Sequence, residues 1–297
     1  MSFSKKTYNL SNESKRQIQK VIDTLKIGGR SEKTIKNYVY AIHRFLKYFE
    51  NKNILELDEN DILEYVKCIY LNNKCSSNTY NLNLSAIKFF YSINFNKQFN
   101  NRLLPHAKLA KRLPSTIDKD TFDKIFYGEK SLKHKCWLLL AYCSGLRAEE
   151  VASVKLNDIN AEEHQLKVLG KGRKERITFL PEITVRYLRM YYKSYYCQPY
   201  NRRVNKTGYL FEGYKYECLT SSTIVNYFSK IKQEYNLDEN ITFHSLRHSF
   251  ASNFIKAGGD PFVLKSMMGH SSLNTTSIYI HMGRDFNNLK GVNYDEI

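Results

Sequence analysis

The side chains best suited to chemistry in this sequence lie close together near its C-terminus. His244 and Arg247 occur in the segment Thr-Phe-His-Ser-Leu-Arg-His, His270 follows Met-Met-Gly, and Tyr279 lies within Ser-Ile-Tyr-Ile-His. A cation, two imidazoles and a phenol are the groups that a metal-free attack on a phosphodiester requires, because the phosphate charge must be stabilised and the nucleophile must lose a proton. Such chemistry needs more positive charge than this segment supplies.

Two upstream segments supply that charge. Arg147 directly follows a predicted helix break at Gly145, and Glu150, three positions later, can hold its guanidinium group. Lys171 lies between two glycines in the turn of a predicted β-hairpin with strands at 165–169 and 176–180. Each motif alone is weak evidence, because i,i+3 ion pairs and solvated turn lysines are common. Their combination, in this order along the chain, is far more specific.

The combined motifs closely resemble those of the tyrosine recombinases, also called the λ-integrase family, and most closely its compact Xer-like members. The matching segments are residues 143–151, 168–176, 244–252 and 264–279, and the resemblance covers essentially the whole chain. All six catalytic-type positions carry the residue that the family pattern expects. Only about ten residues precede the first predicted helix, so we expect no additional arm-site-binding domain of the kind found in larger phage integrases.

This resemblance implies a site-specific recombinase that cleaves and rejoins DNA through a 3′-phosphotyrosyl intermediate. In that mechanism Tyr279 is the nucleophile, Arg147 and Arg247 hold the scissile phosphate, and Glu150 positions Arg147. A phenol ordinarily has a pKa near ~10, so its attack at neutral pH needs a base or a strong positive field. The covalent link conserves the energy of the phosphodiester bond, so the resemblance implies neither ATP nor a metal ion nor any other cofactor.

The remaining catalytic roles follow from the same resemblance. His244 would accept the proton of the nucleophile, Lys171 would protonate the 5′-oxygen leaving group, and His270 would donate a hydrogen bond to the phosphate. A positioned acid or base contributes about 10²–10⁴-fold to a rate.

The composition also favours a nucleic-acid partner. The chain has 46 Lys and Arg against 29 Asp and Glu, a net charge of +17, and both halves are basic. A codon bias toward Lys, Asn and Tyr is an alternative source for part of this excess. The partner we predict is double-stranded DNA, and its candidate contacts are Lys33, Lys36, Arg44, Lys47, Lys88, Lys111, Arg112, Arg173 and Lys174.

The predicted fold is mainly α-helical with a small β-sheet. An N-terminal helical core-binding domain of the SAM-like type is predicted over residues 12–100, a basic linker over 101–116, and an α/β catalytic domain over 117–297. Further helices are predicted at 119–128, 131–144, 148–156, 182–195, 221–235, 245–257 and 261–268. By resemblance, the two domains would form a C-shaped clamp around the duplex.

Two other functions remain open at this level. A type IB relaxing enzyme shares the active-site plan, and residues 261–282 allow a helix-turn-helix regulator, which would leave Arg147 and Lys171 without a role. For the recombinase we expect a tetramer on two DNA sites, formed by this chain alone or with a second recombinase. No signal peptide or membrane-length apolar run occurs, so we expect the cytoplasm. Resolution of chromosome or plasmid dimers and movement of a mobile element are both compatible roles.

Overall fold

The chain divides into two units, residues 1–111 and 112–297, and this division falls inside the predicted linker. The computed structural model describes residues 11–69, 75–108, 113–170, 174–197, 207–213 and 216–269.

The described part of the first unit is helical. Serine or aspartate side chains at Ser11, Ser31, Asp58 and Ser76 accept hydrogen bonds from backbone N–H groups of the first helical turn, which explains where each helix begins. The helices are α1 Asn12–Ile27, α2 Glu32–Tyr48, α3 Glu59–Lys67 and α4 Ser77–Phe95.

The core of this unit is built from aromatic and aliphatic side chains that recur at helical spacing. Phe45 on α2 is fully buried and meets Tyr65 and Tyr91 edge-on, with ring centroids 5.3 and 5.9 Å apart. The Tyr91 hydroxyl donates to the Ile54 carbonyl oxygen at 2.7 Å, so its polar end is satisfied inside the core. These aromatic side chains are therefore part of the core.

The second unit is mixed. Its three strands form one antiparallel sheet in the order β1-β2-β3, and Val168 on β2 pairs with Arg176 on β3. A short 3₁₀ turn occupies Leu156–Asp158. The elements are α5 Lys119–Gly128, α6 Leu132–Tyr142, α7 Ala148–Ala152, β1 Ile159–Asn160, β2 Gln165–Leu169, β3 Glu175–Phe179, α8 Glu182–Tyr196, α9 Ser221–Glu234, α10 Phe243–Lys256 and α11 Pro261–Met268.

Two details of this unit differ from the predictions. The helix predicted over 148–156 ends after Ala152, because the following residues pair with another segment: Leu156 N–H donates to Gly208 O and Leu210 N–H donates to Val154 O. The two-residue strand β1 was not predicted, since so short a strand leaves no periodic pattern.

Helix α6 is the centre of the second core. Every residue from Cys136 to Tyr142 is buried, and the helix packs against α8 and α10. A segment that is apolar on every face, as Cys136–Tyr142 largely is, lies inside the protein.

The chain leaves α6 through a turn that only glycine fits well. Gly145 has a φ of +68°, and a Cβ atom there would lie 2.5 Å from Cδ1 of Phe250 on α10. The turn therefore needs both the left-handed conformation and the missing side chain. The turn lets Phe250 of α10 approach the backbone of Gly145, and it places Arg147 at the start of α7.

No helix among the described residues is both long and apolar enough to cross a membrane.

Candidate active site

Arg147 occupies the position before the first residue of α7. Its backbone N–H donates to Glu150 Oε2 at 2.8 Å, and its Nη1 donates to Glu150 Oε1 at 2.9 Å. Among the described residues Glu150 is the only hydrogen-bond partner of this guanidinium group, and 35% of the side chain remains exposed. The predicted Arg147–Glu150 contact therefore forms, with further donors of Arg147 open to a ligand.

Glu150 is shared by three arginines. Besides Arg147, the guanidinium of Arg176 donates from Nη1 and Nη2 to the two carboxylate oxygens, each at 2.8 Å. Arg247 Nη1 lies 3.6 Å from Oε2. The carboxylate itself is only 6% exposed. One negative charge facing three fixed positive charges leaves this cluster with a net charge of about +2.

The environment keeps Glu150 ionised. Burial alone would raise the pKa of this carboxyl group. The hydrogen bonds and charge of Arg176, the backbone N–H of Arg147 and the charge of Arg247 outweigh burial and lower the pKa to about 2. Glu150 is therefore a permanent anion at the pH of a cell, and it holds the arginines in place.

Arg176 was not among the predicted site residues. It lies on β3, and its side chain is 7% exposed. Thr178, two positions later on the same face of β3, is buried, and its hydroxyl donates to Ser144 O at 2.9 Å. Residues i and i+2 of a strand share a face, so an arginine in phase with a buried position was the signal that could have indicated it.

Arg247 is the largest fully buried side chain of the described chain, at 1% exposure. Its helix, α10, begins with a capping box in which Thr242 N–H donates to the Ser245 hydroxyl. Nη1 donates to Gly145 O, and Nη2 donates to Met268 O at 2.6 Å. The side chain thus ties the turn before Arg147 to the end of α11.

His244 lies on α10 one helical turn before Arg247, as the His-x-x-Arg spacing predicts. It is accessible to solvent, and its ring lies 4.6 Å from that of His248, centroid to centroid. Partial desolvation and the positive charges of Arg247 and Arg147 lower the pKa of His244 to about 4, and Glu150 offsets only part of this. The imidazole is therefore neutral at pH 7 and able to accept a proton.

The carboxyl end of α11 meets the same cluster. Asp260 caps the helix and Pro261 occupies its first turn. Arg176 Nε donates to Met267 O at 2.6 Å, next to the Met268 carbonyl that Arg247 contacts. These carbonyls lie at the negative end of the helix dipole, where cations are favoured.

Several predicted site residues lie outside the described residues: Lys171, His270, Tyr279, Lys111, Arg112 and Arg173. The described ends of the hairpin are paired, with Gly170 N–H donating to Lys174 O at 2.8 Å. Lys174 is exposed beside β3.

Four of the predicted DNA contacts share one face of α2. At 100° per residue, Lys33, Lys36, Arg44 and Lys47 fall within an arc of about 80°, opposite the buried face of the helix. Tyr40, which sequence reasoning missed, lies in the same arc, is 61% exposed and stacks under Arg44, with 5.9 Å from Cζ to the ring centroid. We call these five residues the α2 basic stripe.

Lys88 differs from the other candidates. Its Nζ donates to Asn101 Oδ1 at 2.9 Å and to Leu104 O at 2.8 Å, and partial burial lowers its pKa. It lies on α4 and not on α2, and it ties α4 to the segment that follows.

The chain belongs to the phage integrase family. The model of that family matches residues 112–284, more than half of the chain, and the model described as "Phage integrase, N-terminal SAM-like domain" matches residues 18–100. The chain is thus a tyrosine recombinase, a member of the enzyme class that cleaves and rejoins DNA strands. Neither a relaxing enzyme nor a helix-turn-helix regulator is favoured by these matches.

Curated relatives agree with this assignment. Tyrosine recombinase XerD of Staphylococcus haemolyticus is 26% identical over 267 residues, which cover 86% of this chain and 90% of the relative. Tyrosine recombinase XerA of Pyrococcus horikoshii is 28% identical over 259 residues, covering 86% and 85%.

Solved structures show the same fold. The XerH site-specific recombinase, in a post-cleavage complex with palindromic difH substrate, superposes with a TM-score of 0.71 at 21% identity and covers 91% of this chain and 82% of that one. A lambda integrase dimer bound to a COC' core site gives a TM-score of 0.70 at 18% identity, covering 94% and 99%. The predicted fold class, mainly helical with a small sheet, is confirmed.

The first testable prediction concerns acid stability. Because the folded-state pKa of Glu150 is depressed, its ion pairs contribute stability that is fully present above the unfolded pKa near ~4.3 and is lost as the pH falls toward 2. The shift corresponds to about 3 kcal/mol. Urea unfolding of the wild type and of Glu150→Gln between pH 6 and 2.5 should show this loss in the wild type only. If the free energy of unfolding fell equally steeply with decreasing pH in both proteins, the prediction would be wrong.

Proposed function

We propose that this tyrosine recombinase acts site-specifically on double-stranded DNA through a 3′-phosphotyrosyl intermediate formed by Tyr279. The observation that carries the proposal is the cluster of arginines around Glu150, which holds about two unneutralised positive charges beside a neutral imidazole. The XerH structure, a site-specific recombinase bound to palindromic difH substrate, supports the choice of a specific site.

The cluster suits a scissile phosphate. Arg147 has open donors and partial exposure, so it would contact a non-bridging oxygen directly. Arg247, which is buried, would contribute its charge and, on DNA binding, exchange a carbonyl partner for a phosphate oxygen. Fixed guanidinium groups stabilise the additional negative charge of a pentavalent transition state without reorganisation.

The covalent step needs no reactant besides the protein and the DNA. The Tyr279 phenolic oxygen forms a bond to phosphorus while the bond from phosphorus to the 5′-oxygen breaks. His244 accepts the phenolic proton, and Lys171 supplies a proton to the departing 5′-oxygen. His270 donates a hydrogen bond to the phosphate. Religation reverses these transfers on a new 5′-hydroxyl, so no external energy source is consumed.

We propose that both units bind DNA. We propose residues 12–100 as the core-binding domain, 101–116 as a linker and 117–297 as the catalytic domain. The α2 basic stripe presents three lysines and an arginine around an exposed tyrosine, an arrangement suited to a phosphate backbone. Lys111, Arg112, Arg173 and Lys174 would extend the contacts along the linker and the hairpin.

The assembly and the cellular role are part of the proposal. Strand exchange joins two duplexes and four strands, so four catalytic chains on two DNA sites are required, made up of this chain alone or with a second recombinase. We place the reaction in the cytoplasm, where it would resolve chromosome or plasmid dimers or integrate and excise a mobile element.

Tyr279→Phe tests the nucleophile. With a nicked suicide substrate carrying the cognate site, the wild type should accumulate a covalent protein–DNA adduct, because the cleaved strand cannot be rejoined. The variant lacks only the phenolic oxygen, so it should form no adduct while retaining its DNA affinity in a gel-shift assay. An adduct at undiminished yield in the variant would eliminate Tyr279 as the nucleophile.

The pH dependence of cleavage tests His244. A base must be neutral to act, and the lowered pKa keeps this ring neutral down to about pH 4, so the cleavage rate should not decline between pH 8 and 5.5 through His244. His244→Gln should slow adduct formation by about 10²–10⁴-fold with DNA binding intact. Single-turnover rates across this range are the measurement. A decline of the wild-type cleavage rate with a midpoint near pH 6.5, absent in the variant, would disprove the lowered pKa.

The salt dependence of binding tests the α2 basic stripe. Replacing Lys33, Lys36 and Lys47 with Gln should reduce the slope of log K against log salt by about 2.7 if each lysine neutralises one phosphate. A matched control replaces Lys15, Lys20 and Lys26 on α1, which are exposed and lie outside the stripe. An equal reduction in both triple variants would show that general charge, and not the stripe, determines the slope.

A further inference from the structure

Arg176 connects two parts of the site that are distant in sequence. Nη1 and Nη2 bind both oxygens of Glu150, and Nε binds the carbonyl oxygen of Met267, so all three nitrogen atoms of the guanidinium are engaged. The first two bonds lead to the Arg147–Glu150 pair on α7. The third leads to the last turn of α11.

The contact with α11 has a close steric fit. Gly269 follows the helix with a φ of +62°, and a Cβ atom there would lie 3.0 Å from Cδ of Arg176. The sequence continues from Gly269 to His270 and, nine positions later, to Tyr279. Gly269 at the end of α11 therefore packs closely against the arginine side chain.

A structural salt bridge is the simpler explanation, but the geometry shows more than charge pairing. A buried carboxylate would be neutralised by any one cation, whereas Glu150 already has Arg147 and lies near Arg247. The third arginine adds a planar fork that fixes the plane of the carboxylate, and its remaining N–H reaches a different helix. Lysine carries the same charge but has no such fork.

We propose that Arg176 is a positioning residue for strand cleavage: it aligns the Glu150–Arg147 pair with the end of α11, from which the chain leads to His270 and Tyr279. The proposal rests on the proposed function. Arg176 is 7% exposed and its nitrogen atoms already have partners, so it acts through these groups and not by contact with the DNA.

The test compares Arg176→Lys and Arg176→Met with the wild type on the nicked suicide substrate. Single-turnover adduct formation should slow by about 10²-fold in both variants, since displacements of about 1 Å in a reacting group have effects of this size. DNA affinity should stay at the wild-type value. Arg189→Met is the matched control, because Arg189 is an exposed arginine of the same unit and its loss should leave the adduct rate unchanged.

The pH profile separates positioning from a loss of stability. Without Arg176, Glu150 loses its principal cationic partner and its pKa rises, so the cleavage rate of Arg176→Met should fall with decreasing pH where the wild-type rate is constant. A variant that is merely partly unfolded would show a smaller burst amplitude with an unchanged rate constant and pH profile, and that result would overturn the proposal.

A double variant covers the case in which the single variants do not fold. Glu150→Gln combined with Arg176→Met removes one charge of each sign, so the net charge of the cluster stays at about +2, whereas Glu150→Gln alone would raise it to about +3. Its adduct rate should also be about 10²-fold low. A near-wild-type rate in any folded Arg176 variant overturns the inference alone. If the wild type forms no adduct with its cognate site, the proposed function fails and this inference fails with it.

Discussion

The second unit depends on one buried carboxylate that three guanidinium groups share. Three like charges converge only where an anion offsets part of their repulsion, and Glu150 supplies that anion at the start of α7. Removing it would leave buried cations without a counter-charge, which is among the most costly defects in a protein core. Glu150 and nearby backbone carbonyls hold the arginines in the folded chain, and the remaining net positive charge still attracts a further anion. A phosphodiester is the anion that the family assignment supplies.

Several helices and one strand contribute to this cluster. The apolar helix α6 ends at a left-handed glycine, and the absence of a Cβ there lets Phe250 of α10 approach. The same close packing brings Arg247 of α10 within reach of the Gly145 carbonyl, while β3 carries Arg176 onto both carboxylate oxygens of Glu150. Helix α11 then presents its terminal carbonyls to both arginines. The result is a site whose position is set by packing and whose protonation states are set by charge.

Much of this arrangement follows from local sequence. Cap residues and helical periodicity located most helix ends, and the Gly-Lys-Gly turn with its flanking alternation located the hairpin. The contact of Arg147 with Glu150 is an i,i+3 relation that the sequence predicts directly. Helix α7 was predicted too long, because pairing of residues 154–156 with 208–210 interrupts it. That pairing joins segments about fifty positions apart, and no local pattern indicates it.

The sequence alone determined the chemistry: an ordered set of arginine, lysine, histidine and tyrosine residues indicated a phosphoryl-transfer enzyme and its family. Local motifs are sufficient for this, since each role requires one residue type beside a particular turn or helix end. The tertiary structure decided how the cations are held. It brought Arg176 onto Glu150, buried Arg247, and lowered the pKa of His244 through desolvation and the charges of Arg247 and Arg147. Burial and electrostatic coupling depend on distances in space, and these distances exist only once the helices and the sheet have packed.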